Sequence, residues 1–180
     1  MGIYYKDIDF NSDLLWLRDN IRNIFTELDA AKVDFGYSLR SVQNNNKLVE
    51  IKEKYELSDH CYILISNPEK LTHDPHHHGA ENVSITLLTP ISGCDNRTVT
   101  SFVEPIGEYT NATDSRTSTV LHPNCEYKVI EHFILKDNPV LLNNSQWHMI
   151  ESEEDVEERV SFAWPFANHI ENFDETGFTW

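Results

Sequence analysis

The chain has 180 residues, the size of one domain with one sizeable core, and its 30 acidic against 14 basic residues give a net charge of −16. A surface that negative repels phosphate backbones and anionic membranes, which excludes nonspecific nucleic-acid binding and lipid docking. Apolar residues at 39% and aromatics at 11% exclude a disordered acidic tail. The three cysteines, Cys61, Cys94 and Cys125, form no CxxC pair, so neither a thiolate zinc site nor a disulfide framework is expected. Met1–Asp9 carries early charges and no apolar segment of signal-peptide length, and no run is long enough to cross a membrane. The expectation is one soluble, cytoplasmic domain spanning 1–180, with a homodimer left open.

The first expected element is a helix from Asp13 to about Lys32. Leu14, Leu17, Ile21, Ile24, Phe25 and Leu28 recur at three-and-four spacing, with Ser12 as N-cap and Asp13 in the first turn. A poorer helix is expected over Gln43–Lys54. Thereafter the pattern changes to short apolar runs cut by turn residues. Strands are expected at Cys61–Ser66, Val83–Leu88 (ended by Pro90 and Gly93), and Thr98–Val103 (ended by Pro105 and Gly107). Further strands follow at Glu126–Leu135, Val140–Leu142, Trp147–Ile150 and Arg159–Trp164, whereas Tyr109–Ser118 reads as a loop and Glu151–Glu158 as a solvated hairpin connection. The fold class is therefore mostly β with N-terminal helices, an antiparallel sandwich or barrel. Helical support occupies about 12–55, the barrel about 60–166 and a tail 167–180, whose Phe178 and Trp180 either close the barrel mouth or meet a second copy.

Nine histidines occur, three of them together in the stretch THDPHHHGAE. On an extended chain His76 and His78 project from one face and His77 from the other. Two imidazoles on one face are two ligands for a transition metal, although a solvated histidine loop has the same sequence. His148 follows Trp147 at the start of a strand, a position that suits packing as well as ligation; Trp147 itself reads as wall packing. Eleven residues further on, Arg159 and Ser161 share a face of an apolar strand. A guanidinium there calls for a carboxylate or phosphate, either a bound anion or one of the nearby glutamates. His60, His122, His132 and His169 fall outside this spacing.

The order of these parts (paired ligands on a strand, a distal histidine, then Arg-x-Ser on the next strand) resembles the Fe(II)- and 2-oxoglutarate-dependent dioxygenases. The stretches SITLLTPISGCDNRTVTSFVE (Ser84–Glu104) and PVLLNNSQWHMIESEEDVEERVSFAW (Pro139–Trp164) are similar to small dioxygenases of this kind from marine bacteria and phages. The resemblance covers roughly Leu71–Phe166 and implies a double-stranded β-helix, a jelly-roll, cupin-like barrel. It implies Fe(II) and 2-oxoglutarate as cofactors, with His148 as distal iron ligand, Arg159 holding the far carboxylate of 2-oxoglutarate and Ser161 assisting. It implies a small-molecule or peptide substrate that the sequence does not name. The family's His-x-Asp or His-x-Glu pair is absent here; His76 with His78 is the nearby pair with two ligating side chains, giving an expected His76, His78, His148 site. Asp74 or Glu81 could supply the missing carboxylate, and Asp74 and Asn82 are candidates to orient the imidazoles. A cupin-type three-histidine metalloprotein without 2-oxoglutarate and a non-catalytic β-barrel module remain the alternatives.

Overall fold

The structure is a computed structural model that describes residues 4–33, 35–66, 74–78, 85–108, 111–113, 118–122, 124–153, 158–170 and 172–178. For residues 78, 111–113 and 118–119 it describes the backbone alone. Two helices and two antiparallel sheets make up the fold.

Helix α1 spans Ser12–Glu27, and its N-cap is Asn11, whose side-chain oxygen accepts from the N–H groups of Asp13 and Leu14. The cap thus falls one residue before the expected Ser12. The helix also ends before the expected Lys32, because Leu28 closes the apolar period and Asp29 turns left-handed at φ 51°. Helix α2 spans Asn46–Tyr55, capped by Asn45 in the same manner and closed by Glu56 at φ 55°. The buried carboxylate of Asp13 ties the two helices together. It accepts from Lys47 Nζ (3.0 Å), Lys54 Nζ (2.7 Å) and Tyr55 Oη (3.2 Å).

The larger sheet contains β1 (Tyr5–Asp7), β2 (Ala31–Val33), β3 (Gly36–Leu39), β4 (Cys61–Ser66), β6 (Ile85–Ser92), β11 (Val140–Asn143) and β13 (Arg159–Pro165). Its spatial order is β1-β11-β6-β13-β4-β3-β2. The second sheet contains β5 (His76–His78), β7 (Thr98–Pro105), β8 (Asn111–Thr113), β9 (Ser118–Leu121), β10 (Tyr127–Phe133) and β12 (His148–Ser152). Its order is β10-β7-β12-β5-β9-β8.

Two departures from the sequence reading have clear causes. The strand expected to stop before Pro90 runs on to Ser92. Proline cannot donate to the ladder, and the pairing accommodates it with a bulge: Val160 pairs with Ser92 but Ser161 with Pro90. The segment Tyr109–Ser118, expected as a loop, contains β8 and leads into β9, whose polar residues pair as a hairpin at the sheet's edge.

Two apolar clusters follow from strand alternation. Val160, Phe162 and Trp164 on one face of β13 join Ile63, Ile85 and Leu87 beneath the α1 stripe, where Phe25 meets Phe162 edge-on at 6.2 Å. Ala163, on the other face, joins Leu88, Phe102, Phe133, Val140 and Leu142 between the two sheets. The C-terminal Phe178 stacks on Tyr55 at 4.2 Å and packs in the helix-side cluster, so it does not close a barrel mouth; Trp180 lies outside the described residues. Among the described residues no helix is long and apolar enough to cross a membrane.

Candidate metal and anion site

The register of the second sheet brings two of the expected histidines together. His148 pairs directly with His76 across β12 and β5, and with Phe102 across β12 and β7. Directly opposed residues share a face of the sheet. Phe102 belongs to the cluster between the sheets, so both imidazoles face that interior. Their ring centroids stand 4.4 Å apart, with His148 only 3% exposed and His76 half-buried.

Both rings are oriented in the same way. His148 Nδ1 lies 2.8 Å from the carbonyl of Gln146, and His76 Nδ1 lies 3.1 Å from the carbonyl of Asp74. A carbonyl oxygen only accepts, so each Nδ1 carries the proton and donates it. In the neutral ring each Nε2 is then the nitrogen with the lone pair that a metal would take. Asp74 contributes through its main chain, while its side chain is exposed, so it orients His76 by a route other than a carboxylate.

His78 lies two residues beyond His76 on β5, opposite Ser118, which places it on the same face of the strand. His77 occupies the opposite face and meets Trp147 edge-on at 4.4 Å, so Trp147 packs against the sheet as expected. Glu81 and Asn82 lie outside the described residues. Among the described residues there is no group of three or more His, Cys, Asp and Glu side chains placed to hold a metal.

Arg159 and Ser161 project from the facing sheet into the same interior, since they alternate with Val160 and Phe162 and share a face with Ala163. They are 3% and 5% exposed. The described flanking glutamates Glu151 and Glu158 are engaged elsewhere: Glu151 accepts from Ser101 Oγ at 3.3 Å, and Glu158 stands 4.0 Å from Arg22. Among the described residues Arg159 makes no ion pair, and its Nε is buried with no acceptor. Burial pushes its guanidinium below the usual range, opposed by its electrostatic interaction with Cys94. A buried, unpaired guanidinium is costly unless a ligand completes it.

Several wall residues carried no signal in the sequence reading. Ser66, Leu64 and Tyr62 on β4 pair with Arg159, Ser161 and Ala163 in turn. Across the interior, Thr98 and Thr100 are buried, and Thr98 Oγ1 lies 3.0 Å from Ser152 Oγ. The alternation of Thr98, Thr100 and Phe102 on one strand face was the legible clue, hydroxyls standing where an apolar wall would be ordinary. His60, His132 and His169 are exposed and His122 half-buried.

No family model matches the chain, and no curated protein matches it significantly. Among solved structures it is similar to the L-ribose isomerase of Cellulomonas parahominis with L-psicose, at 10% identity and a TM-score of 0.31, over 97% of this chain and 93% of that one. The same isomerase with no ligand gives 10% identity and a TM-score of 0.31 over 96% and 91% of the two chains. So distant a likeness carries no argument about fold or chemistry.

Proposed function

We propose that the chain is a non-haem iron(II) oxygenase that uses 2-oxoglutarate, built on a double-stranded β-helix. The observation that carries this reading is the pair His76 and His148, both proton-tied at Nδ1, facing the same interior as an arginine without an acid. The strand order supports the fold: β11-β6-β13-β4 in one sheet lies against β10-β7-β12-β5 in the other, and successive strands of this set cross between the sheets as in a jelly roll, except β7 and β10, which pair within one.

The residues fit the proposed groups by donor chemistry. His76 and His148 would hold iron through Nε2, joined from the same strand face by His78. Imidazole is a suitable ligand for iron, and the set is neutral, so the ion would keep its full charge for an anionic cosubstrate to offset. The orphaned Nε of Arg159 and the hydroxyl of Ser161 are donors suited to the far carboxylate of 2-oxoglutarate. When bound, iron and 2-oxoglutarate supply the dioxygen chemistry that oxidises a substrate C–H bond. The chain's own part is positional. Asp74 and Gln146 carbonyls hold the imidazole planes, Arg159 and Ser161 fix the cosubstrate, and Phe102, Leu88 and Ala163 keep water from the space between.

The all-histidine set favours one alternative, a cupin-type metalloprotein that works without 2-oxoglutarate. Equilibrium dialysis of the protein with Mn(II), a redox-stable stand-in, and 2-oxoglutarate tests the choice. The oxygenase reading expects 2-oxoglutarate retention that requires the metal; metal retention without 2-oxoglutarate would favour the alternative.

A further inference from the structure

Cys94 stands beside the anion seat just described. Gly93 takes φ 65° at the end of β6, and a Cβ there would lie 1.9 Å from Glu158 O and 3.2 Å from Arg159 Cα. That close approach of two backbones lays Cys94 against the first residues of β13. Its Sγ–H donates to the carbonyl of Val160 at 3.3 Å, which sets the sulfur beside the first residues of β13, close enough to interact electrostatically with the Arg159 guanidinium. Cys94 is partly exposed, whereas Cys61 is fully buried. Beside it, Arg159 is 3% exposed and holds one N–H with no acceptor.

We infer that Cys94 is an oxidation site whose product occupies the anion seat of Arg159 and thereby shuts out a carboxylate ligand. The oxidant is hydrogen peroxide. A sulfur lone pair attacks one peroxide oxygen, the S–O bond forms and the O–O bond breaks. The departing hydroxide takes the thiol proton and leaves as water, so sulfur loses two electrons and the peroxide gains them. The sulfenic oxygen then sits where it can accept the buried Nε–H of Arg159, which satisfies the group the reduced fold leaves unpaired. A thiol reductant reverses the change, because the sulfenic state is the reducible step of cysteine oxidation. The consequence for cosubstrate rests on the reading of Arg159 as a carboxylate seat; the site of oxidation does not.

The test treats the full, metal-free chain with a few equivalents of hydrogen peroxide in the presence of dimedone, followed by peptide mass mapping. Cys94 is expected to acquire the adduct at least tenfold faster than Cys61 or Cys125. Arg159→Gln is expected to slow that labelling severalfold, and Arg159→Lys to slow it less. Labelling of Cys94 no faster than Cys125, or unchanged in Arg159→Gln, would overturn the assignment. If Arg159→Gln does not fold, the comparison of Cys94 with Cys125 in the unaltered chain still decides it. A second measurement follows 2-oxoglutarate retention by the Mn(II)-loaded protein. Oxidation is expected to weaken it at least tenfold, dithiothreitol to restore it, and Cys94→Ser to remove its sensitivity to peroxide. Retention untouched by peroxide would overturn the blocking role. If the reduced protein retains no 2-oxoglutarate at all, the oxygenase reading fails, while the labelling contrast separately decides the site.

Discussion

His148 and His76 face each other across the β12–β5 pair with ring centroids 4.4 Å apart, and each donates its Nδ1 proton to the carbonyl two residues before it. The repeated i−2 hydrogen bond fixes both ring planes and both tautomers before any ligand arrives. A metal bound there would meet two oriented nitrogens at little cost in ordering entropy.

Removing either ring should remove the metal. Loss of a partner that merely orients a ligand costs about 10–100-fold in metal affinity. His76→Ala and His148→Ala should each exceed that loss, while His77→Ala, on the other face against Trp147, should leave affinity within a few-fold. Calorimetric Mn(II) titration of the three variants checks this, with circular dichroism to confirm folding.

Arg159 should show opposed effects on stability and binding. Its guanidinium is 3% exposed, without an acid, and with Nε unsatisfied. Replacing such a group with an apolar residue of similar length stabilises by about 1–3 kcal/mol. Arg159→Met is therefore expected to raise the urea midpoint while abolishing 2-oxoglutarate retention. A lowered midpoint would mean that the guanidinium has a partner in the apo protein.

Gly93 joins the end of β6 to the start of the arginine strand. An alanine there meets the Glu158 carbonyl at 1.9 Å and sits at φ 65°, so the backbone must move. A left-handed conformation alone costs a non-glycine residue about 1–2 kcal/mol. Gly93→Ala should lower stability by at least that amount and weaken 2-oxoglutarate binding, yet leave the His76–His148 metal affinity near wild type. Denaturant unfolding and the two binding titrations separate these effects.

Acid should loosen the helix pair first. Burial raises the Asp13 carboxyl, but hydrogen bonds from Lys54 and Lys47 outweigh it and hold the group below the usual carboxylate range. A depressed folded-state pKa contributes stability that is complete above the unfolded value of about 3.9 and fades as pH falls through the folded value. Asp13→Asn is expected to destabilise by about 1–3 kcal/mol at neutral pH and to flatten the stability profile below about pH 4. Thermal unfolding at a series of pH values reads both changes.

The elements that carry a long apolar signal were legible in the chain. Cys61–Ser66 matches β4 residue for residue, and the Leu14, Leu17, Ile21, Ile24, Phe25 stripe is the buried face of α1. What escaped was short or edge-bound. β1 and β2 are three residues each and half charged or exposed, so their hydrogen bonds rather than their side chains define them. Asn11 and Ser12 are both capping residues, and only the geometry shows which oxygen reaches the Asp13 and Leu14 amides. In the site, His148 and Arg159 were readable as residue types in order. Their convergence was not, because the His148–His76 register depends on strands distant in sequence. Cys94 gave no signal at all; its place beside Arg159 is made by the Gly93 turn.

The most direct test of the oxygenase reading is an anaerobic optical titration. Fe(II) is added to the protein, then 2-oxoglutarate, and the visible spectrum is followed. A visible charge-transfer band that forms only with both additions, disappears in His148→Ala and needs far more 2-oxoglutarate in Arg159→Ala is the expected result. Bound iron with no band at saturating 2-oxoglutarate would contradict the reading.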